Sequence, residues 1–147
     1  MLYTILYLSK ARKAFNAHEL TILLNQSRIW NNDHRLTGFL AYVSGTVQNK
    51  VSSQFIQVLE GDKAEVIDIF SHIQIDNRHN DIKVIKQGFI THRKFCLWKM
   101  GFQIFNLNDS ALLQQFFSMD ASILAEDGDL ESNVLMSFMK SFYETGD

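Results

Sequence analysis

Between residues 2 and 105 the chain alternates apolar runs of two kinds, and their order limits the fold more than any other feature. Residues 2–8 are rich in Ile, Leu and Tyr without helical spacing and give way to Ser9 and Lys10, the pattern of a buried strand. Asn16 stands at an N-cap position with Glu19 three residues on, and Leu20, Leu23, Leu24 and Ser27 recur at helical intervals, which predicts a helix over about 17–29. Residues 36–43 and 54–59 are apolar enough for two more strands. The polar stretch between them, with Gly45 and Asn49, suggests a hairpin with a long connecting loop. Val66, Ile69, Phe70 and Ile73 predict a second helix over about 63–75, after which residues 77–80 read as a polar turn. Residues 82–90, which follow Asp81, alternate Ile and Val with Lys, and residues 95–105 form a last strand-like run. The order β-α-β-β-α-β-β folds into one five-stranded sheet carrying both helices on a single face, an α+β arrangement of the ferredoxin-like kind.

After Asn106 the pattern changes to two short helical segments, about 110–119 and 130–144, separated by Glu126, Asp127 and Asp129. A domain over 1–105 and a helical extension over 106–147 are therefore expected. The stripe Leu130, Val134, Leu135, Phe138, Met139 and Phe142 should bury against the bare face of the sheet or against another subunit.

Charge and composition narrow the function. Fourteen Lys and Arg against sixteen Asp and Glu leave no basic excess with which to neutralise phosphates, so a nucleic-acid partner is not expected. No run approaches the ~20 apolar residues that cross a bilayer, and the first eight residues are too short for a signal peptide, so a cytoplasmic protein is expected. Cys96, the single cysteine, lies in a strand-like run and reads as a buried, inert thiol. The five histidines lack zinc-ligand spacing, and no glycine-rich phosphate loop is present, which argues against a metalloenzyme and an NTPase.

Two polar residues sit inside runs that should be buried. Tyr7 and Gln57 are each flanked by aliphatics, and the strand order makes strands one and three plausible neighbours. A phenol and an amide in contact could satisfy only each other or the backbone; alternatively they could serve a third, carbonyl-rich group.

The ordered set Tyr7-Leu8-Ser9, Ser27-Arg28, Asn31 with Leu36-Thr37-Gly38, Phe55-Ile56-Gln57-Val58-Leu59-Glu60-Gly61, Asp76-Asn77-Arg78-His79 and Arg93 through Met100 resembles the BLUF family of flavin-dependent blue-light sensors over residues 2–105. The resemblance implies non-covalent flavin binding, by family habit FAD, with FMN or riboflavin as alternatives. It implies that Tyr7 is the photoactive tyrosine, that Gln57 bridges it to the flavin N5/O4 edge, and that Asn31 holds O4 and N3. Trp98 and Met100 match the pair that relays the signal. Leu23 and Ser27 match ring-lining positions on the first helix; His72, Ile73, Asp76, Arg78 and His79 match the stretch of the second helix that contacts ring, ribityl chain and phosphate.

The implied chemistry is photochemical. After blue-light excitation an electron and then a proton leave Tyr7, and Gln57 rearranges its amide during the return, which alters the hydrogen bonds at the flavin edge and reddens the absorption. Glutamine suits this because one pivot carries an acceptor and two donors. A stand-alone sensor is expected, not an enzyme, signalling through a homo-oligomer or a protein effector partner. The competing reading is a light-insensitive flavin-binding or oligomerisation module on the same fold. A small acylphosphatase-like hydrolase would need a phosphate-binding loop that the sequence lacks. Two departures stand out: Trp30 and Arg35 occupy positions that are commonly Asn and Gly in the family, and Arg35 is placed where glycine would take a left-handed backbone more cheaply. The longer segment 44–54 is expected to protrude as a loop away from the flavin.

Overall fold

The computed structural model describes residues 1–47, 49–96, 99–106 and 108. The element order is β1 (Leu2–Ala11), α1 (Ala17–Asp33), β2 (Thr37–Val47), β3 (Lys50–Asp62), α2 (Lys63–Gln74), β4 (His79–Phe89) and β5 (Gly101–Asn106). The strands form one mixed sheet in the order β4-β1-β3-β2-β5. Helix α1 carries the chain past the place later taken by β3, and α2 carries it past β1, so β1 lies antiparallel to both β3 and β4, and of the neighbouring pairs only β2 and β5 run parallel.

Local chemistry sets the element ends. Asn16 accepts a hydrogen bond from the Glu19 amide at 2.8 Å while the Glu19 carboxylate accepts from the Asn16 amide at 3.1 Å, the reciprocal cap that the sequence predicts. Gly38 lets β2 lie close on β3: a Cβ there would sit 2.0 Å from the Val58 carbonyl oxygen. Arg35, between α1 and β2, adopts the left-handed backbone (φ 56°) that its replacement of glycine suggests.

One face of the sheet buries Tyr3, Ile5, Tyr7, Leu40, Phe55 and Leu59 beneath the helices, with Val66, Ile69 and Phe70 of α2 packed on them. The residues between them in register, Leu6, Phe39, Ala41, Ile56 and Val58, are buried on the other face, where the Phe95 ring lies 5.8 Å from that of Phe39. Helix α1 is different: only Leu20 and Asn31 are buried, while Leu23, Leu24 and Ser27 of its apolar stripe stay half-covered.

Four sequence expectations are corrected. Strand replaces the expected 44–54 loop: β2 and β3 continue in register to the Val47–Lys50 pair, with Asn49 at φ 64°. The arm is rich in Ser, Thr and Val, which pair well as a half-exposed ribbon but lack the apolar alternation of a core strand. Strand β4 starts at His79, inside the expected turn, and β5 starts only at Gly101. Residues 93–95 cannot join the ladder because the amides of Lys94 and Phe95 are committed to the Glu60 carboxylate, and Cys96 turns outward and is exposed where a buried thiol was expected. The two helices expected beyond residue 109, with their apolar stripe, lie outside the described residues, as does the rest of the expected 106–147 extension apart from Asn106, which ends β5, and Asn108. Among the described residues no helix is long and apolar enough to cross a membrane.

Candidate functional site

Antiparallel register brings Tyr7 of β1 directly opposite Gln57 of β3. Both point to the helix-covered face, where Tyr7 is 3% and Gln57 5% exposed. The Tyr7 hydroxyl donates a short hydrogen bond to Gln57 Oε1, and Gln57 Nε2 donates to Met100 Sδ at 3.6 Å. The amide is thus oriented by a donor on one side and a soft acceptor on the other. Burial pushes the Tyr7 phenol well above its ordinary pKa; the Asp76 carboxylate adds to the shift and the Arg78 guanidinium opposes it. Its ring leans on those of Phe70 and His79, at 5.5 and 6.3 Å.

Two hollows that share Ser27, Gln57, Ile73, Asp76 and Arg78 lie beside this pair. The inner one, about 40 Å³, is walled by Tyr7, Leu23, Ser27, Leu40, Phe55, Gln57, Ile73, Asp76, Arg78 and His79. The outer cleft between α1 and α2, about 560 Å³, is lined by Ser27, Trp30, Asn31, Gln57, Leu59, Ile69, His72, Ile73, Asp76 and Arg78, with Gln26, Ile29, Asp33 and His34 completing its rim. Every residue assigned to the cofactor from the sequence therefore borders one hollow or both. Met100 joins through Gln57, and Trp98 lies outside the described residues.

His79 is held by both ring nitrogens. Its Nε2 is 2.7 Å from the Ile73 carbonyl oxygen, which can only accept, so Nε2 carries a proton, and Nδ1 is hydrogen-bonded to the Ser9 hydroxyl at 2.7 Å. The imidazole thereby ties β1 and β4 to the end of α2. Only His72 and Ile73 of the expected helical stretch are on α2; Asp76 and Arg78 occupy the connection to β4. Arg78 forks onto Asp76, with Nη2 at 2.5 Å and Nε at 3.0 Å, and its Nη1 reaches Gln26 of α1 at 2.7 Å, so it spans the gap between the helices. Partial burial works against ionisation of Asp76, but the Arg78 hydrogen bonds and charge prevail and hold its carboxyl below the usual range.

Asn31, 2% exposed near the end of α1, donates from Nδ2 to the Lys99 carbonyl at 2.5 Å. Its side-chain carbonyl is an acceptor on a residue of the cleft wall. Arg28 donates from Nε to the Met100 carbonyl at 3.2 Å, a contact that spacing along the chain does not foretell. Trp30 and His34 stack at 5.4 Å, and His34 Nδ1 meets the Glu65 carboxylate at 2.5 Å, joining the end of α1 to the first turn of α2.

These walls fit a flat heteroaromatic ring. The aliphatic groups of Leu59, Ile69 and Ile73 supply apolar faces, while Gln57 and Asn31 supply amides at its edge. The half-covered Leu23 and Ser27 of α1, which wall the inner hollow, are positions that such a ring would complete.

Comparison with known proteins agrees with this fold. The family model described as "BLUF: Sensors of blue-light using FAD" matches residues 2–101. The chain is 30% identical over 94 residues to the photoactivated adenylate cyclase subunit alpha of Euglena gracilis, a match that covers 64% of this chain and 8% of the cyclase. The chain thus spans a small part of the curated relatives it matches. Among solved structures, the dark state of BlrB, described as a BLUF protein, superimposes with a TM-score of 0.70 at 26% identity, covering 96% of each chain. The photo-activated state of BlsA shares the fold, with a TM-score of 0.66 at 24% identity over 97% of this chain and 95% of that one.

Proposed function

The chain belongs to the BLUF family of flavin-based blue-light sensors, and from that premise we propose that it holds FAD between α1 and α2 and converts light into a new hydrogen-bond pattern at Gln57. Bound flavin supplies the absorption of blue light and, once excited, a strong one-electron oxidant. The observation that carries the reading is the Tyr7–Gln57–Met100 chain of hydrogen bonds on the floor of the cleft.

Burial pins the phenolic proton to Tyr7 in the dark, because a phenolate would be unsolvated there. Loss of an electron makes a phenol a strong acid, and the acceptor in line is Gln57 Oε1. Tyr7 then recovers both particles. Gln57 is left with its amide rearranged, so that a donor and an acceptor have exchanged places and the contact with Met100 is remade. No charge is created in the dry interior, which makes the rearranged state affordable. Asn31 and Arg78 hold the ring edge and the polar tail, and Leu23, Ser27, His72 and Ile73 wall the ring.

The output is proposed to be a changed protein contact, with a second copy of this chain or an effector protein, in the cytoplasm; the sensor itself catalyses no bond-making reaction. The test is a visible spectrum of the dark-purified protein before, during and after blue illumination. A flavin spectrum that shifts slightly to the red and recovers in darkness is expected. A flavin that only bleaches, or a protein colourless with added FAD, would overturn the reading in favour of a light-insensitive module, and Trp30 and Arg35 would be the first residues to revert.

A further inference from the structure

Glu60 is a buried carboxylate that this light chemistry does not use. It is 1% exposed, three residues beyond Gln57 on β3 and therefore on the opposite face of the sheet. Oε1 accepts from the Thr37 hydroxyl at 3.0 Å and from the Phe95 amide at 2.7 Å, and Oε2 accepts from the Lys94 amide at 2.8 Å. Arg93 completes the fixture: Nη1 donates to Thr37 Oγ1 and to the Glu60 backbone carbonyl, at 3.0 and 3.1 Å, and Nη2 donates to the Arg35 carbonyl at 2.9 Å. One end of the connector between β4 and β5 is thus bolted to the strand that carries Gln57.

The other end of the connector is read by the cleft. Gln57 touches the Met100 sulfur, Arg28 holds the Met100 carbonyl and Asn31 holds the Lys99 carbonyl, just before β5 begins. A segment fixed at one end and pushed at the other moves at the pushed end. We infer that Glu60 is a positioning residue for the light switch: by fixing residues 93–95 it directs any change at Gln57 into Met100 and the start of β5. The inference rests on the sensor reading above for the origin of that change.

The experiment uses the full, flavin-loaded chain with 13C-methyl methionine, the Met100 resonance being assigned with Met100→Leu. Glu60→Gln turns an N–H group toward backbone N–H donors. It is expected to move the Met100 methyl resonance in the dark and to speed dark recovery about tenfold, with the dark flavin spectrum and flavin affinity unchanged. Thr37→Val, nearly isosteric, removes one donor and should shift both readouts in the same direction by less. A folded Glu60→Gln protein with wild-type Met100 resonance and recovery overturns the inference; if that variant does not fold, the same result in Thr37→Val overturns it. A purely structural Glu60 would lower stability and leave both readouts in place. Absence of a red shift in the unaltered protein defeats the sensor reading instead, and the dark-state Met100 resonance still decides whether Glu60 positions that methionine.

Discussion

Tyr7 and Gln57 are direct cross-strand partners, and the phenol of one donates to the side-chain carbonyl of the other. The pairing depends on register: a slip of one residue would send one of the two to the opposite face. Tyr7→Phe keeps the ring that packs on Phe70 and removes only the hydroxyl. Flavin binding is expected to persist, the light-induced red shift to vanish, and stability to fall by about 1–2 kcal/mol because Gln57 Oε1 loses its buried donor. Difference spectroscopy and urea unfolding check the two halves of this prediction; a normal photocycle in the variant would remove Tyr7 from the mechanism.

Gln57→Leu preserves most of the volume and deletes both donor and acceptor. The Tyr7 hydroxyl then loses its acceptor and Met100 its N–H contact. The variant should bind flavin and give no family-type spectral shift on illumination, and a surviving shift would assign the switch to another residue.

The Asp76 carboxyl has a native pKa below its ordinary 3.8, so its contribution to stability is present above that pH and is lost as pH falls through the lower native value. Thermal unfolding followed from neutral pH downward should show this acid slope in the unaltered protein and a shallower one in Asp76→Asn. Equal slopes would mean that the Arg78 fork adds nothing to the stability of the cleft wall.

Arg35 is exposed and left-handed. Arg35→Gly relieves about 1–2 kcal/mol of backbone strain and concedes part of it to the freer unfolded chain, for a net gain of about 0.5–1 kcal/mol. Chemical denaturation reads this directly; a loss of stability would show that the Arg35 side chain supports the loop.

Gly38→Ala is expected to cost more than about 3 kcal/mol, since its methyl would meet the Val58 carbonyl and neither paired strand can yield without disturbing Leu40 and Gln57. A urea midpoint close to that of the unaltered protein would show that the β2–β3 pair opens more readily than the packing implies.

Much of this molecule was legible before its structure. The capping box at Asn16, the interrupted apolar stripes and the two misplaced polar residues on β1 and β3 each follow from spacing, and the left-handed backbone at Arg35 follows from the family resemblance, which puts glycine at that position. The β2–β3 arm was not, because Ser44, Thr46, Ser52 and Gln54 carry no sign of burial and a ribbon with polar sides resembles a loop. Glu60 was visible only as part of a familiar block of residues. Its partners Lys94 and Phe95 lie 34 and 35 positions further along, a distance over which no local pattern signals a buried carboxylate. Cys96 followed from the same blindness: the turn exposing it is imposed from across the sheet.

Helix α1 is pinned at Leu20 and Asn31, about three turns apart, and bridges an opening in between. A lintel of this kind can stand without its filling but gains from it. The protein should therefore report its own loading: its melting temperature should climb with flavin concentration, and a cell short of flavin would hold a pool of receptors that are blind and also shorter-lived.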